Sequence, residues 1–284
     1  MRWSNYHVHS VFCDGKNTLK EMAQAAEEVG ITSLGFSGHA PLIYANDWTM
    51  KEEEVPDYLK AVQEIKALYQ GKMSVYTGME IDYYMDLKDI SPYVHSIRDQ
   101  LDYCIGSIHV MGLLPDGSCS DIDYTTENFE MGIQHCFKGS PRDFAETYYQ
   151  SIGDMAETVR PEIIGHLDLL KKNNPDQLYF DETSDWYREA ALTCLERIRE
   201  TSCIIEVNTG GMARYGSRCL YPSDWLLEQI HDMGIPILLN GDSHQADAIA
   251  YAYKPVLEKL LQMGFKEMML FDGTQWIPQK IELD

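Results

Sequence analysis

Long apolar runs are missing from this chain of 284 residues. No stretch approaches the ~20 residues that a membrane-crossing helix needs. The amino-terminal MRWSNYHVHS lacks the apolar core of a secretory signal. Both absences predict a cytoplasmic protein with no membrane partner. Positive charge is also scarce: 23 Lys and Arg stand against 45 Asp and Glu, for a formal net charge of −22. Such a surface repels phosphate backbones, which argues against nucleic-acid partners. The seven cysteines (Cys13, Cys104, Cys119, Cys136, Cys194, Cys203 and Cys219) are odd in number, widely spaced and free of any CxxC. That pattern suits reduced thiols rather than a disulfide framework. There is no internal repeat, low-complexity tract or Pro/Gly/Ser linker.

What is present is a globular composition, 44% hydrophobic and 24% charged. The length suits one α/β barrel, so residues 1–284 are read as a single domain. Residues 5–9 alternate as a strand. Thr18 and Glu21 form a candidate capping box for a helix over 18–29, whose apolar residues Leu19, Met22, Ala23, Ala26 and Val29 share one face. Short apolar runs follow at 33–37, 73–79, 102–107, 162–165, 203–208 and 235–240. Helical patterns at 51–70, 141–159, 185–201 and 223–233 lie between most of them, and a last helix fits 246–263. This alternation implies parallel βαβ units, and seven strands before the last helix imply a closed or nearly closed barrel. A run at 267–271 fits either an eighth strand or a packing tail. The segment 112–140, rich in Gly and acidic residues, reads as a long βα insertion over one barrel mouth.

The histidines are placed unevenly. Six of nine (His7, His9, His39, His109, His166 and His244) sit at or just past the end of a predicted strand, as do Glu80 and Asp242. The carboxyl ends of barrel strands form the active-site face. His7-Val8-His9 and Asp242-Ser243-His244 each put two ligand-type side chains on one strand face, because strand side chains repeat every two residues. Imidazole and carboxylate together suit Zn, Mn or Fe. Eight such candidates exceed one tetrahedral ion and imply two or three, with Glu80 able to bridge. Taken singly, each residue has an ordinary explanation: a satisfied polar histidine, a solvated glutamate, or a helix-capping Asp242. The joint pattern carries the inference. His95, His135 and His231 fall outside it and read as structural.

The motifs HVHSVFCDG (7–15), GFSGH (35–39), GMEID (78–82), GSIH (106–109), IIGHLD (163–168), EVNTGG (206–211) and GDSH (241–244) resemble those of the PHP (polymerase and histidinol phosphatase) superfamily. NDWTMK (46–51), LDYCIGSIH (101–109), HLDLLKK (166–172) and EVNTGG followed by YPS (221–223) are similar to its histidinol-phosphatase branch. The resemblance spans residue 5 to about residue 271. It implies a distorted seven-stranded (βα) barrel with a trinuclear site. By motif, the ligands are His7, His9, Asp14, His39, Glu80, His109, His166, Asp242 and His244. His7 and His9 share one ion with Glu80 and Asp242; Glu80 bridges to a second held by His109 and His166; Asp14, His39 and His244 hold the third. From the residues alone, Asp14 beside Gly15 reads equally well as a turn residue. The family has His or Asp there, and its last motif more often begins with Ser than with Gly241.

The implied activity is metal-dependent hydrolysis of L-histidinol phosphate to L-histidinol and phosphate, in histidine biosynthesis. Glu80, Asp242 and His244 are the expected catalytic residues. Arg214, in the loop after EVNTGG, and Arg160 are the candidate phosphate-binding cations; Arg218, Lys171 and Lys172 lie near the same strand ends. Glu206 is a candidate for orienting a histidine ligand, and Asn208 shares its strand face. Asp47, Asp116, Asp121 and Asp123 are placed in mouth loops, where they would attract a cationic leaving group. The alternatives are a PHP phosphoesterase acting on a nucleotide or phosphotyrosine, an amidohydrolase-like C–N hydrolase, and a non-catalytic metal-binding protein. His244 beside Asp242, and the absence of a clear bridging lysine, favour the phosphoesterase.

Overall fold

Seven parallel strands form the centre of the computed structural model, which describes residues 2–283. They are β1 (Trp3–Asn5), β2 (Ile31–Phe36), β3 (Ser74–Asp82), β4 (Tyr103–Ser107), β7 (Ile163–Ile164), β8 (Ile204–Asn208) and β9 (Ile237–Asn240), paired in that order. Their residues are almost all buried, as expected for a parallel sheet covered on both faces. The helices around them are α1 (Leu19–Glu28), α2 (Val55–Leu68), α3 (Pro92–Ile97), α5 (Pro141–Thr158), α6 (Asp185–Arg199), α7 (Gly210–Tyr215), α8 (Asp224–Met233) and α9 (Tyr253–Gln262). The capping box of α1 is present: Glu21 N donates to Thr18 Oγ1 at 3.2 Å and Thr18 N donates to Glu21 Oε2 at 2.8 Å.

The first and last strands meet at a seam. Val8 bridges Ser243 in parallel, with His9 N donating to Ser243 O at 3.0 Å and Ser243 N donating to His7 O at 2.9 Å. The two ligand-rich motifs therefore close the sheet. The predicted strand 5–9 is regular only to Asn5. Beyond it the Asn5 side chain replaces ladder partners: its Oδ1 accepts from His7 N and Gly241 N, both at 3.0 Å.

The opposite end of the barrel is filled by aromatics. Tyr6, Tyr76 and Tyr103 pack with Leu270 and Phe271. Tyr103 fits because Gly35 and Gly78 are glycines; a Cβ at Gly35 would meet its hydroxyl oxygen at 2.2 Å, and one at Gly78 would meet its ring at 2.4 Å. The undecided run at 267–271 is not an eighth barrel strand. As β10 (Glu267–Phe271) it pairs antiparallel with β11 (Trp276–Lys280), and Phe271 N donates to Tyr6 Oη at 2.9 Å. The helix predicted over 246–263 begins only at Tyr253, because Ala252 is left-handed at φ 55°.

The insertion has its own structure. β5 (Val110–Leu113) and β6 (Cys119–Asp121) form an antiparallel hairpin. Its turn contains Gly117 at φ 86°, a conformation that favours glycine. α4 (Thr126–Cys136) follows, capped by Thr125 Oγ1 accepting from Asn128 N at 3.1 Å. Among the described residues no helix is long and apolar enough to cross a membrane.

Candidate metal centre

Glu80, on β3, is the hub of the barrel mouth. Its Oε1 accepts from Ser107 Oγ at 2.7 Å and lies 2.9 Å from His166 Nε2 and 3.5 Å from His109 Nε2. Its Oε2 lies 3.1 Å from His7 Nε2, 3.0 Å from His39 Nδ1 and 3.6 Å from His9 Nε2. Asp242 stands across the seam, with Oδ1 3.3 Å from His9 Nε2, 3.4 Å from His244 Nδ1 and 3.8 Å from His7 Nε2. Asp14 Oδ2 lies 3.1 Å from His244 Nε2, and Asp14 Oδ1 lies 3.7 Å from both His9 and His39. All nine residues marked by motif thus come together.

Three groups offer donor atoms within 4.8 Å of one another: His9, Asp14, His39 and His244; His7, His9 and Asp242; and His39, Glu80 and His109. His9 and His39 each serve two groups, whereas the family pattern gives each to a single ion. His166 reaches the centre through Glu80 instead.

Two imidazoles are fixed from behind by buried carboxylates. His7 Nδ1 lies 2.7 Å from Glu206 Oε1, which also accepts from Asn240 Nδ2 at 2.8 Å. The other Glu206 oxygen accepts from His166 N and Asn208 Nδ2, both at 2.9 Å. His109 Nδ1 lies 3.1 Å from Asp82 Oδ2, and His109 N donates to Asp82 Oδ1 at 2.8 Å. In both cases Nε2 faces the centre, as in the carboxylate–histidine pairs that orient metal ligands. Sequence reasoning found Glu206 and missed Asp82. The signal was available, since Glu80-Ile81-Asp82 has the same two-residue spacing as His7 and His9.

The electrostatics suit a cation. Burial opposes charge on Glu80, yet His7, His39 and His109 outweigh it and hold the carboxyl well below its usual range. Burial likewise opposes charge on Asp242, and Arg214 and His7 reverse the balance. His9 is pushed down to about 3 by burial and by His244 and His39, so it is neutral. His7 Nε2, His9 Nε2, His39 Nδ1, Glu80 Oε2 and His166 Nδ1 are buried with no hydrogen-bond partner among the described residues. Buried polar atoms are seldom left so. Imidazoles and ionised carboxylates around one hub are a donor set that fits divalent metal.

The centre opens into a cavity of about 460 Å³. Its cations are Lys16, Lys172 and Arg214; its further walls include Asp47, Trp48, Asp121, Asp123, Tyr124 and Tyr215. Arg214 Nη2 donates to Asp242 Oδ2 at 3.1 Å, and Nη1 lies 2.8 Å from His244 Nδ1. Lys172 Nζ lies 3.6 Å from Asp123 Oδ2 and over the Tyr215 ring.

Other candidates lie elsewhere. Arg160 does not join the site: it precedes β7, and a residue entering a parallel strand lies at the barrel's opposite end. There it is exposed, with Nε donating to Glu157 O at 3.1 Å. Lys171 turns inward to Asp168 Oδ2 at 2.8 Å and Leu220 O at 2.6 Å. Arg218 is exposed and outside the cavity lining. Asp116 also leaves the mouth, because it closes its own hairpin turn by accepting from Ser118 N at 3.0 Å. His95, His135 and His231 lie on α3, α4 and α8, away from the centre.

Comparison with known proteins shows the family and the fold. The model of the PHP domain matches residues 5–210. The histidinol-phosphatase of Bacillus subtilis (strain 168) is 30% identical over 267 residues, covering 89% of this chain and 97% of that protein. Two solved structures speak for the fold. A chain from Listeria monocytogenes has a TM-score of 0.75 at 21% identity, covering 89% of this chain and 99% of that one. Histidinol phosphate phosphatase from Lactococcus lactis, complexed with Zn, L-histidinol and phosphate, has a TM-score of 0.72 at 19% identity, covering 97% of this chain and 99% of that one. With the seven-stranded barrel and the motifs accounted for along nearly its whole length, the chain belongs to the PHP domain family, in its histidinol-phosphatase branch.

Proposed function

We propose that this protein is a metal-dependent phosphomonoesterase that hydrolyses L-histidinol phosphate to L-histidinol and phosphate. The observation that carries the chemistry is the convergence of six histidines and three carboxylates on one centre, which opens into a cavity that also holds Arg214 and Lys172. The choice of alcohol is supported by the Bacillus subtilis relative, which is named for that activity. Two or three divalent ions, of Zn, Mn or Fe, are held by His7, His9, Asp14, His39, Glu80, His109, His166, Asp242 and His244. The free cysteines suit a reducing, cytoplasmic setting.

Divalent metal supplies positive charge to phosphate oxygens and an activated nucleophile from water at neutral pH. The protein's own groups do the rest. Glu206 and Asp82 lock the His7 and His109 rings so that Nε2 points inward. Glu80 and Asp242 hold negative charge at the hub. Arg214 reaches the cavity from α7 and offers a planar donor fork to the phosphoryl group. The cavity lining carries both signs, with Arg214 and Lys172 available to the phosphoryl group and Asp47 and Asp121 to a cationic alcohol.

The test is a phosphate-release panel on protein loaded with each metal in turn, comparing histidinol phosphate with a nucleoside monophosphate and phosphotyrosine. Histidinol phosphate is expected to have the highest kcat/KM. A competitor turned over more efficiently would remove the substrate assignment and leave the metal centre standing.

Arg214→Ala is expected to lower kcat/KM about 10- to 100-fold, mainly through KM. A charged hydrogen bond contributes roughly 1.5–3 kcal/mol, and phosphate capture acts on the ground and transition states alike. Arg214 also touches Asp242 and His244, so metal content is measured alongside. An unchanged kcat/KM would leave Lys172 as the capturing cation.

A further inference from the structure

Most carboxylates of the cavity already stand in an ion pair with a cationic group or an imidazole. Asp14, Glu80 and Asp242 stand among the imidazoles, and Asp123 is held by Lys172. Asp47 and Asp121 remain. Asp47 is exposed on the loop after β2. Asp121 ends β6 and is partly buried; its Oδ1 is shielded from solvent with no hydrogen-bond partner among the described residues. The charged groups bearing on it include Asp123, Asp82 and Asp47, all of its own sign, and His109. A carboxylate so placed is costly to keep ionised, and an incoming cation removes that cost.

The substrate chemistry says where such a cation must sit. In histidinol phosphate the amine is on the carbon next to the CH2–O–P group, so its partner must adjoin the centre. Asp121 meets that requirement. It pairs with Val110, the residue after His109, across the β5–β6 hairpin, and Ile122 N donates to His109 O at 2.9 Å. Asp47 lines the same cavity, and the ring of its neighbour Trp48 is 4.7 Å from that of His39 and 5.5 Å from that of His109.

We propose that Asp121, supported by Asp47, receives the ammonium group of the substrate and so selects amino-alcohol phosphates among phosphomonoesters. The inference rests on the histidinol-phosphatase reading. It gives the insertion a role, since Asp121, Asp123 and Tyr124 all come from it: the insertion carries the alcohol-recognising wall, while the barrel carries the phosphate-binding centre.

The experiment compares histidinol phosphate with its amine-free analogue, 3-(imidazol-4-yl)propyl phosphate, on metal-loaded wild type and Asp121→Asn. The ratio of kcat/KM values is expected to fall at least about tenfold in the variant, the scale of one charged hydrogen bond. An unchanged ratio overturns the proposal. So does an equal fall of kcat on both substrates, which would place Asp121 in proton transfer to the leaving oxygen instead. If Asp121→Asn does not fold, wild type decides: L-histidinol should inhibit at least about tenfold better than 3-(imidazol-4-yl)propan-1-ol, and equal inhibition overturns the proposal. If wild type hydrolyses other phosphomonoesters but not histidinol phosphate, the functional reading itself has failed and this inference falls with it.

Discussion

Glu80→Gln is expected to lower kcat/KM by roughly a thousandfold and to lower bound metal, whereas His95→Gln should stay within about twofold. The substitution keeps shape and removes charge. Each Glu80 oxygen faces two or more imidazole nitrogens, and an amide nitrogen can accept from none of them. Removing one member of a buried charged cluster costs about 3–5 kcal/mol, because the rest is left uncompensated; about 4 kcal/mol is a factor of a thousand in rate. Burial makes the difference from His95. That ring is half exposed and meets only Asp89, at 2.8 Å, among the described residues, and exposed pairs contribute about 0–1 kcal/mol. Steady-state kinetics and elemental analysis of both variants check this, and comparable values for the two would dissolve the assignment of Glu80 as hub.

Why these residues were legible follows from strand geometry. A two-residue repeat places alternate side chains on one face, so His7 with His9 and Asp242 with His244 announce themselves in the sequence. The parallel direction of successive strands then brings all their carboxyl ends to one mouth. Both rules are local or directional and need no coordinates. Asp14 is different: it lies in a turn after the strand, where periodicity says nothing, and only the resemblance marked it. Arg160 was misplaced because proximity to a strand was weighed without its direction; the residue before a parallel strand is at the far end. Asp116 was misplaced because a hairpin reverses the chain inside the insertion, sending its tip away while Asp121 and Asp123 return to the mouth. The break after Asn5 was illegible because it depends on one side-chain amide bonding to Gly241, more than two hundred residues away.

Stripping the metal with a chelator is expected to abolish phosphatase activity and to lower Tm by about 8–16 °C, with both restored by Zn or Mn. An ion bound only by the folded chain, present at about a thousand times its Kd, stabilises it by about 4 kcal/mol, and each kcal/mol shifts Tm by roughly 2–4 °C at this chain length. The stripped centre is not simply a set of repelling charges. Burial disfavours a proton on His109, but Asp82 and Glu80 outweigh burial and push its pKa up to about 10. Burial is likewise outweighed at His7, by Glu206, Glu80 and Asp242, which raise it well above the usual imidazole value. Metal must therefore displace protons that the empty folded centre holds. The sign follows: with those pKa values raised, the protons stay bound through neutrality, and each one displaced weakens metal binding about tenfold per unit fall in pH. The gap in Tm between loaded and stripped protein should thus widen between pH 6 and pH 8. Calorimetric scans at several pH values, paired with elemental analysis, check both points. A protein fully active with well under one ion per chain, or a gap that narrows as pH rises, would mean that the cluster around Glu80 does not hold metal.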